Sequence, residues 1–295
     1  MAAVTELGYL GFTVTDPAAW RRFAADIAGL EVYDDGEDDR FYLRMDYWHH
    51  RLVMHTGDVD DLAYMGWRVA DAPALNEIKS QLESGGYSYR VGTPAEAAER
   101  RVLGLIKLDD PSGNPVEIFY GPLIHTHLPF QPGRRMHGKW VTGNQGLGHL
   151  LVRSDDADES HRFYSLLGLK GHVQYHLNTP NGVASPVFMY CNDRQHSIAF
   201  GVNGDKRLNH LMLEYAELND LGKAHDLVRS EGVDVILQLG KHANDDALTF
   251  YFVTPSGWLL ELGWGGGKAF EQQQYHLNDI FGHGIETAGA LDVEL

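Results

Sequence analysis

The sequence has a single cysteine, Cys191, and far fewer basic than acidic side chains. One cysteine excludes an intrachain disulfide framework and is typical of a protein in a reducing cytosol. The formal charge of −17 argues against nucleic acid and anionic membranes as partners. No apolar run approaches the roughly 20 residues of a membrane span, and residues 1–10 lack the basic and apolar regions of a signal peptide. We therefore expect a cytoplasmic protein that binds neither nucleic acid nor membrane.

The chain contains the same pattern of segments twice. The order of predicted strands and helices reads β-α-β-β-β four times, two times in each half. The tetrapeptide LGHL at 147–150 corresponds to LGYL at 7–10, and each precedes a predicted helix that ends at a glycine. An internal repeat of this kind decides the fold before any motif does. We predict an α+β fold with two domains, each formed by two β-α-β-β-β modules whose mixed sheet curves into a cup with the helices outside.

A stretch that contains prolines and has neither helical nor strand periodicity separates the two halves. Such a stretch is typical of a connection between folded units. We predict an N-terminal domain over residues 1–121, a linker over residues 122–140 and a C-terminal domain over residues 141–295.

Polar residues at corresponding positions of the two halves indicate where the chemistry lies. The three pairs are Tyr9 with His149, Tyr64 with His210, and Glu117 with Glu261. A carboxylate in a strand of leucines is costly unless it is paired, hydrogen-bonded or bound to a cation. The phenols of the N-terminal half ionise near pH 10 and are poor metal ligands. We therefore predict a metal site in the C-terminal domain and a metal-free N-terminal domain.

The three C-terminal residues lie 61 and 51 positions apart, so only three converging strands can bring them together. A single strand histidine is more often structural than a ligand, but three coincident positions in a repeat favour His149, His210 and Glu261 as a metal site. Two imidazoles and one carboxylate on one face of an ion are typical of non-haem Fe(II) oxygenases. Zinc is a rival, although the sequence lacks the His-Glu-x-x-His motif of zinc hydrolases. Mn(II) accepts the same ligand set, so the choice between it and Fe(II) stays open.

Several segments carry a resemblance to a known family. They are GLGHLLV (146–152), NDRQHSIAFG (192–201), KRLNHLMLEY (206–215) and LGKHANDDALTFYFVTPSGWLLELGW (239–264). The chain resembles the type I extradiol ring-cleaving dioxygenases of the vicinal oxygen chelate superfamily over essentially its whole length. RFYLRMDYWHHR (40–51) and DIFGHG (279–284) are most similar to the 1,2-dihydroxynaphthalene dioxygenases, and next to the 2,3-dihydroxybiphenyl enzymes. The resemblance implies that Fe(II) and O2 open a bicyclic or biaryl catechol beside its two hydroxyls, in aromatic hydrocarbon catabolism.

The resemblance also implies a role for each matching residue. The Fe(II) ligands would be His149, His210 and Glu261. The catalytic residues would be His196, His242 and Tyr251, and the substrate-binding residues Phe188, Asn244 and Asp245. His196 would move a proton to and from the diol, a task that suits imidazole because its free pKa lies near the working pH. The partners would be an aromatic diol, O2 and further copies of the chain, because relatives are often octamers.

Two other functions are compatible with parts of this pattern. One is another metal-dependent enzyme of the superfamily, such as an isomerase or a thiol transferase. The other is a non-catalytic protein that sequesters an aromatic ligand, which would need no complete set of metal ligands. The presence of His196, His242 and Tyr251 together favours the dioxygenase. His49 and His50 occupy the position that corresponds to His196, but their half lacks the ligand set, so we expect them at the surface.

Overall fold

The repeat in the sequence forms two eight-stranded mixed sheets, one in each half of the chain. The structure is a computed structural model that describes residues 1–174, 177–179, 182–269 and 279–284. No helix in these ranges combines the length and the apolar character that crossing a membrane requires.

The first half contains eight strands and three helices. The strands are β1 (Glu6–Val14), β2 (Glu31–Tyr33), β3 (Arg40–Arg44), β4 (Leu52–Thr56), β5 (Asp61–Arg68), β6 (Arg90–Val91), β7 (Gly104–Asp109) and β8 (Pro115–Tyr120). The helices are α1 (Pro17–Arg22), which continues as a π-helical turn over Phe23–Ala28, α2 (Ala72–Ser84) and α3 (Pro94–Glu99). The strand order across the sheet is β2-β3-β4-β1-β5-β8-β7-β6.

The described part of the second half has the same architecture with a short extra hairpin. Its strands are β9 (His149–Arg153), β10 (Lys170–Gln174), β11 (Leu177–Thr179), β12 (Gly182–Ala184), β13 (Val187–Tyr190), β14 (Ile198–Val202), β15 (Leu208–Tyr215), β16 (Val235–Lys241), β17 (Leu248–Val253) and β18 (Leu259–Trp264). The helices are α4 (Ala157–Leu166) and α5 (Leu218–Ser230). The order β10-β13-β14-β9-β15-β18-β17-β16 matches the first sheet strand for strand, and β11 pairs only with β12. The predicted α+β fold is confirmed.

The helix starts follow from local sequence chemistry. The Asp16 side chain accepts a hydrogen bond from the Ala19 backbone N–H at 2.8 Å and caps α1. Gly29 ends the following π-helical turn with φ of 86°, a conformation that suits glycine. α3 was absent from the sequence prediction, although Thr93 and Glu96 form a capping box at its start.

The Pro-Ser-Gly turn before β18 packs against β1 and α1 of the first half. Trp258, which follows the turn before β18, stacks on Phe12 of β1 with ring centroids 4.8 Å apart. Trp20 of α1 lies beside it and donates its indole N–H to Ser256 Oγ at 2.8 Å. These rings are buried, so the contact joins the two halves through apolar area as well as through a hydrogen bond.

The predicted linker contacts both halves of the chain. Arg134 donates a hydrogen bond from Nε to the Ile27 carbonyl at 2.8 Å and another from Nη2 to the Tyr215 hydroxyl at 3.0 Å. Trp140, at the end of the linker, is buried and stacks on Tyr215 with ring centroids 4.2 Å apart. The boundaries at residues 121 and 141 stay predictions, and the linker itself is packed against the strands and helices that flank it.

Candidate metal and catalytic site

Strand register explains why the three predicted metal ligands share one face. Met212 of β15 is the backbone partner of His149 on β9 and of Glu261 on β18. His210 lies two positions before Met212 on the same strand. Because strand residues alternate between faces, all three predicted ligands project from the same side of the second sheet. The repeat therefore places residues from both modules of the second half at one point.

The three ligand groups converge within metal-binding range. His149 Nε2 lies 3.2 Å from Glu261 Oε2, and His210 Nε2 lies 3.4 Å from the same oxygen. One candidate ligand atom from each residue lies within 4.8 Å of the other two. Asn209 accepts a hydrogen bond at 3.0 Å from Nδ1 of His210, which leaves the Nε2 lone pair for a ligand.

The chemistry of this donor set fits a divalent transition metal. The Glu261 side chain is fully buried, and its Oε1 has no hydrogen-bond partner among the described residues. Burial alone would raise the pKa of Glu261, but the imidazoles of His149 and His242 hold that pKa well below its usual range. Burial also lowers the pKa of His210 to about 3, which keeps its imidazole neutral. An ionised carboxylate and a neutral imidazole are the forms in which these two ligand types bind a metal ion.

His196 lies directly beside the predicted ligands. Its ring centroid is 3.8 Å from that of His149, and the Phe188 ring meets it at an angle of 82° with the centroids 4.8 Å apart. Its Nδ1 bonds to the side-chain oxygen of Gln195, so Nδ1 carries the hydrogen and Nε2 has a free lone pair. Burial lowers the pKa of His196 well below its usual range. Gln195 was missed by the sequence analysis, although it directly precedes the histidine that it orients.

His242 and Tyr251 close another side of the site. His242 Nε2 lies 2.7 Å from the Tyr251 hydroxyl and 3.5 Å from Glu261 Oε1. The Tyr251 and His210 rings meet at an angle of 82° with their centroids 5.2 Å apart. Burial, together with Glu261, raises the pKa of Tyr251 well above its usual value, so the phenol keeps its proton and can donate it in a hydrogen bond.

The loop between β16 and β17 supplies two more predicted residues. Asp245 is buried, and one of its carboxylate oxygens lies within 4.8 Å of candidate nitrogen atoms of His149 and His196. Its Oδ1 accepts the Ala247 backbone N–H at 3.0 Å, while burial raises its pKa. Asn244 is buried on the same loop, with 7% of its surface exposed.

In the first half, a side-chain cation lies where the second half gathers its predicted metal ligands. Tyr9 donates its hydroxyl to Glu117 Oε2 at 2.7 Å. Arg100 contacts both oxygens of this buried carboxylate at 3.0 and 3.1 Å, and Lys107 Nζ lies 3.1 Å from Oε1. The Arg100 guanidinium also lies 3.6 Å above the centre of the Tyr64 ring. The guanidinium neutralises Glu117 and covers one face of the Tyr64 ring.

The surface position predicted for His49 and His50 is wrong. The two residues are only 2% and 3% exposed. His50 packs on Tyr42 with ring centroids 5.1 Å apart, and His49 Nε2 bonds to Asp35 at 3.0 Å. Aromatic rings therefore cover both histidines. Burial lowers the pKa of each of them.

Comparison with known proteins agrees with this architecture. The family described as "Dihydroxybiphenyl dioxygenase BphC D1" matches residues 7–57, and "Glyoxalase/Bleomycin resistance protein/Dioxygenase superfamily" matches residues 146–262. A biphenyl-2,3-diol 1,2-dioxygenase of Sphingomonas paucimobilis is 61% identical over 100% of both chains. A 1,2-dihydroxynaphthalene dioxygenase of Sphingobium xenophagum is 59% identical, again over 100% of both chains.

Solved structures show the same similarity in three dimensions. A crystal structure described as catechol 2,3-dioxygenase has a TM-score of 0.95 and 61% sequence identity, covering 98% of this chain and 97% of its own. Identity of this extent over complete chains, together with two matched sheets and a His/Glu cluster in the second, establishes the family. The chain belongs to the extradiol dioxygenases of the vicinal oxygen chelate superfamily, a family of metal-dependent ring-cleaving enzymes.

Proposed function

We propose that His149, His210 and Glu261 bind Fe(II) and that the protein cleaves a bicyclic or biaryl catechol with O2 beside its two hydroxyls. The observation that carries this proposal is the convergence of two imidazole nitrogens on a buried carboxylate oxygen at 3.2 and 3.4 Å. Bound Fe(II) would supply redox chemistry with O2 and open positions for the diol oxygens. The names of the similar enzymes support 1,2-dihydroxynaphthalene and 2,3-dihydroxybiphenyl as substrates.

His196 is the residue that we propose for proton transfer. Its Nδ1–H is held by Gln195, so the lone pair of Nε2 is available to accept the proton of a diol hydroxyl. The same atom returns the proton to an oxygen of the product as the ring opens. His149 touches the His196 ring, which keeps this base beside the predicted metal ligands.

His242 and Tyr251 are the residues that we propose for orienting the diol. Their polar atoms lie 2.7 Å apart and face Glu261, so each can exchange this mutual hydrogen bond for one to a diol oxygen. Phe188, which contacts His196, would pack against the aromatic ring, and Asn244 and Asp245 would support the pocket from the loop.

Steady-state kinetics of the iron-loaded protein test the reaction and its substrate class. The substrates are 1,2-dihydroxynaphthalene, 2,3-dihydroxybiphenyl and a trihydroxybiphenyl, and the measurements are O2 uptake and the ring-opened product. We expect one O2 consumed for each ring opened, with both oxygen atoms in the product when ¹⁸O2 is used. Absence of O2 uptake with all three substrates would refute the proposed reaction.

A substitution tests the role of His196 separately. His196→Gln keeps a polar side chain but removes the proton acceptor, and general acid–base catalysis contributes about 100- to 10,000-fold. We expect kcat to fall by that amount while iron content stays unchanged. Ring cleavage within about tenfold of wild type would show that His196 does not transfer the proton.

The choice of Fe(II) as the bound ion is a proposal that metal loading tests. Anaerobic loading with Fe(II), Mn(II) or Zn(II) should restore ring cleavage with Fe(II), and restoration by Zn(II) alone would contradict a redox role for the ion. We also propose that the protein is a cytoplasmic homo-oligomer. Light scattering of the purified protein should then give a mass that is a multiple of the 33.0 kDa chain.

A further inference from the structure

Residues 279–284, here called the C-terminal strap, lie along the outer edge of β16. The Lys241 backbone N–H donates to the Phe281 carbonyl at 2.7 Å, and the Ile280 N–H donates to the Lys241 carbonyl at 2.8 Å. A further bond joins the Gln238 N–H to the Gly284 carbonyl at 3.0 Å. β16 is the last strand of its sheet, so the strap covers backbone groups that the edge would otherwise expose.

The polarity of the strap is the reverse of what hydrophobic docking would produce. Ile280 and Phe281 are 56% and 54% exposed, whereas the His283 side chain is only 2% exposed. Asp279 also faces inward, with 17% of its side chain exposed. A segment that turns its apolar residues outward is held by its polar contacts.

Those polar contacts form one chain of hydrogen bonds that reaches the proposed catalytic residues. Asp279 Oδ1 lies 2.7 Å from His242 Nδ1, and its Oδ2 lies 2.7 Å from His283 Nδ1. His283 Nε2 lies 3.1 Å from Thr249 Oγ1. An ionised carboxylate only accepts hydrogen bonds, so both Nδ1 atoms carry hydrogen. His283 Nε2 also lies 3.3 Å from the Thr249 carbonyl oxygen, and Nε2 of His242 faces Tyr251.

Backbone geometry shows that this arrangement is specific. A Cβ at Gly240 would lie 2.5 Å from the His283 backbone nitrogen, and one at Gly282 would lie 2.3 Å from the Leu239 carbonyl oxygen. Only glycine allows these two backbone segments to pass so closely. His283 itself has φ of 55°, in the left-handed backbone region that residues other than glycine rarely adopt. Such a conformation persists only where the surroundings hold it, and it occurs most often at functional sites.

We propose that Asp279 is a positioning residue for His242, and that His283 in turn fixes Asp279. The carboxylate holds the hydrogen of His242 on Nδ1 and sets the plane of its ring, so that Nε2 points toward Tyr251 and Glu261. The inference rests on the proposed function of His242 in orienting the diol. Asp279 would therefore act on the reaction only through His242, without touching the diol.

Kinetics of matched variants test this coupling. An amide can accept a hydrogen bond from only one of the two imidazoles, and its NH2 opposes the other Nδ1–H, so Asp279→Asn should shift His242 toward its other tautomer. We expect kcat to fall by about tenfold or more, a loss typical of residues that orient a functional histidine. Asp279→Asn added to His242→Gln should have no further effect, because the two residues act as one unit. Asp205→Asn, at an exposed loop position, is the control and should leave kcat unchanged.

The kinetic outcomes separate the two proposals. If His242→Gln retains wild-type activity, the proposed role of His242 fails, whatever Asp279 does. If His242→Gln lowers kcat and Asp279→Asn does not, or if their losses add, the positioning role of Asp279 is wrong. Iron content and circular dichroism of each variant show whether a loss of activity comes from unfolding or loss of metal.

Long-range ¹H–¹⁵N correlation spectra of the metal-free protein give a readout that is independent of activity. The signals of His242 are identified as those absent from His242→Gln. In wild type we expect His242 to carry hydrogen on Nδ1, and in Asp279→Asn we expect that pattern to change. A wild-type His242 with hydrogen on Nε2 alone would overturn the inference, even if Asp279→Asn failed to fold.

Discussion

Replacing Arg100 by methionine should destabilise the first half of the chain without affecting the proposed metal site. Arg100 and Glu117 are 6% and 1% exposed, so the substitution leaves a buried carboxylate without its main counter-charge. Methionine has a similar reach but donates no hydrogen bond. The change removes the two contacts to Glu117 at 3.0 and 3.1 Å and the contact of the guanidinium with the Tyr64 ring.

The contacts that remain set the size of the loss. Removal of one partner from a buried ion pair costs about 3–5 kcal/mol. Tyr9 and Lys107 still contact Glu117 at 2.7 and 3.1 Å, which places the loss at the lower end of that range. The lost cation–π contact adds roughly 1 kcal/mol, so we expect the free energy of unfolding to fall by about 4 kcal/mol. Arg100→Met combined with Glu117→Leu should recover more than half of this loss, because no buried charge is then left unpaired.

Urea unfolding of the metal-free proteins, followed by circular dichroism, measures the loss. Arg90→Met is the control, because Arg90 forms its ion pair with Glu96 at the surface and its side chain is 56% exposed. A loss for Arg100→Met below about 1 kcal/mol, or no larger than that of Arg90→Met, would refute a cation-stabilising role for Arg100. The iron content of Arg100→Met should equal that of wild type.

Two further predictions concern the joint between the halves and the response to acid. Trp258→Ala removes the buried ring that stacks on Phe12 and should cost about 3–5 kcal/mol in urea unfolding, whereas an equal loss for the 37% exposed Trp264→Ala would contradict this account. Burial lowers the pKa of His55 from 6.5 to about 4, so the unfolded chain binds a proton between these pH values that the folded chain does not. Stability should therefore fall as pH drops through this window, and His55→Gln should reduce the slope of the unfolding midpoint against pH. An unchanged slope would show that His55 does not contribute.

The repeat was the most informative feature of the sequence. Residues of a strand alternate between the two faces of a sheet, so residues at matched positions of the repeat share a face. Once LGHL was matched to LGYL, residues on different strands could be compared position by position, and the α+β fold of paired modules followed. The same comparison selected His149, His210 and Glu261, which the structure places on one face of the second sheet. Their roles stay proposals, although their mutual distances are those that the prediction requires.

Contacts between segments that are not related by the repeat could not be predicted from the sequence. Arg100 follows the short helix α3 and has no spacing that identifies it as the partner of Glu117. Asp279 reaches His242 from a segment that follows the last strand. The π-helical turn over Phe23–Ala28 keeps the apolar pattern of an α-helix, so periodicity did not reveal it. The burial of His50 depends on rings that fold over it from other strands.

Iron stoichiometry of two matched glutamate variants tests the central claim most directly. The metal-free wild type, Glu261→Gln and Glu117→Gln are equilibrated anaerobically with Fe(II), freed of unbound metal and analysed for iron. We predict one Fe(II) per chain for wild type and for Glu117→Gln, and almost none for Glu261→Gln, because only Glu261 faces the imidazoles of His149 and His210. Wild-type iron content in Glu261→Gln, or equal losses in both variants, would contradict the proposed site.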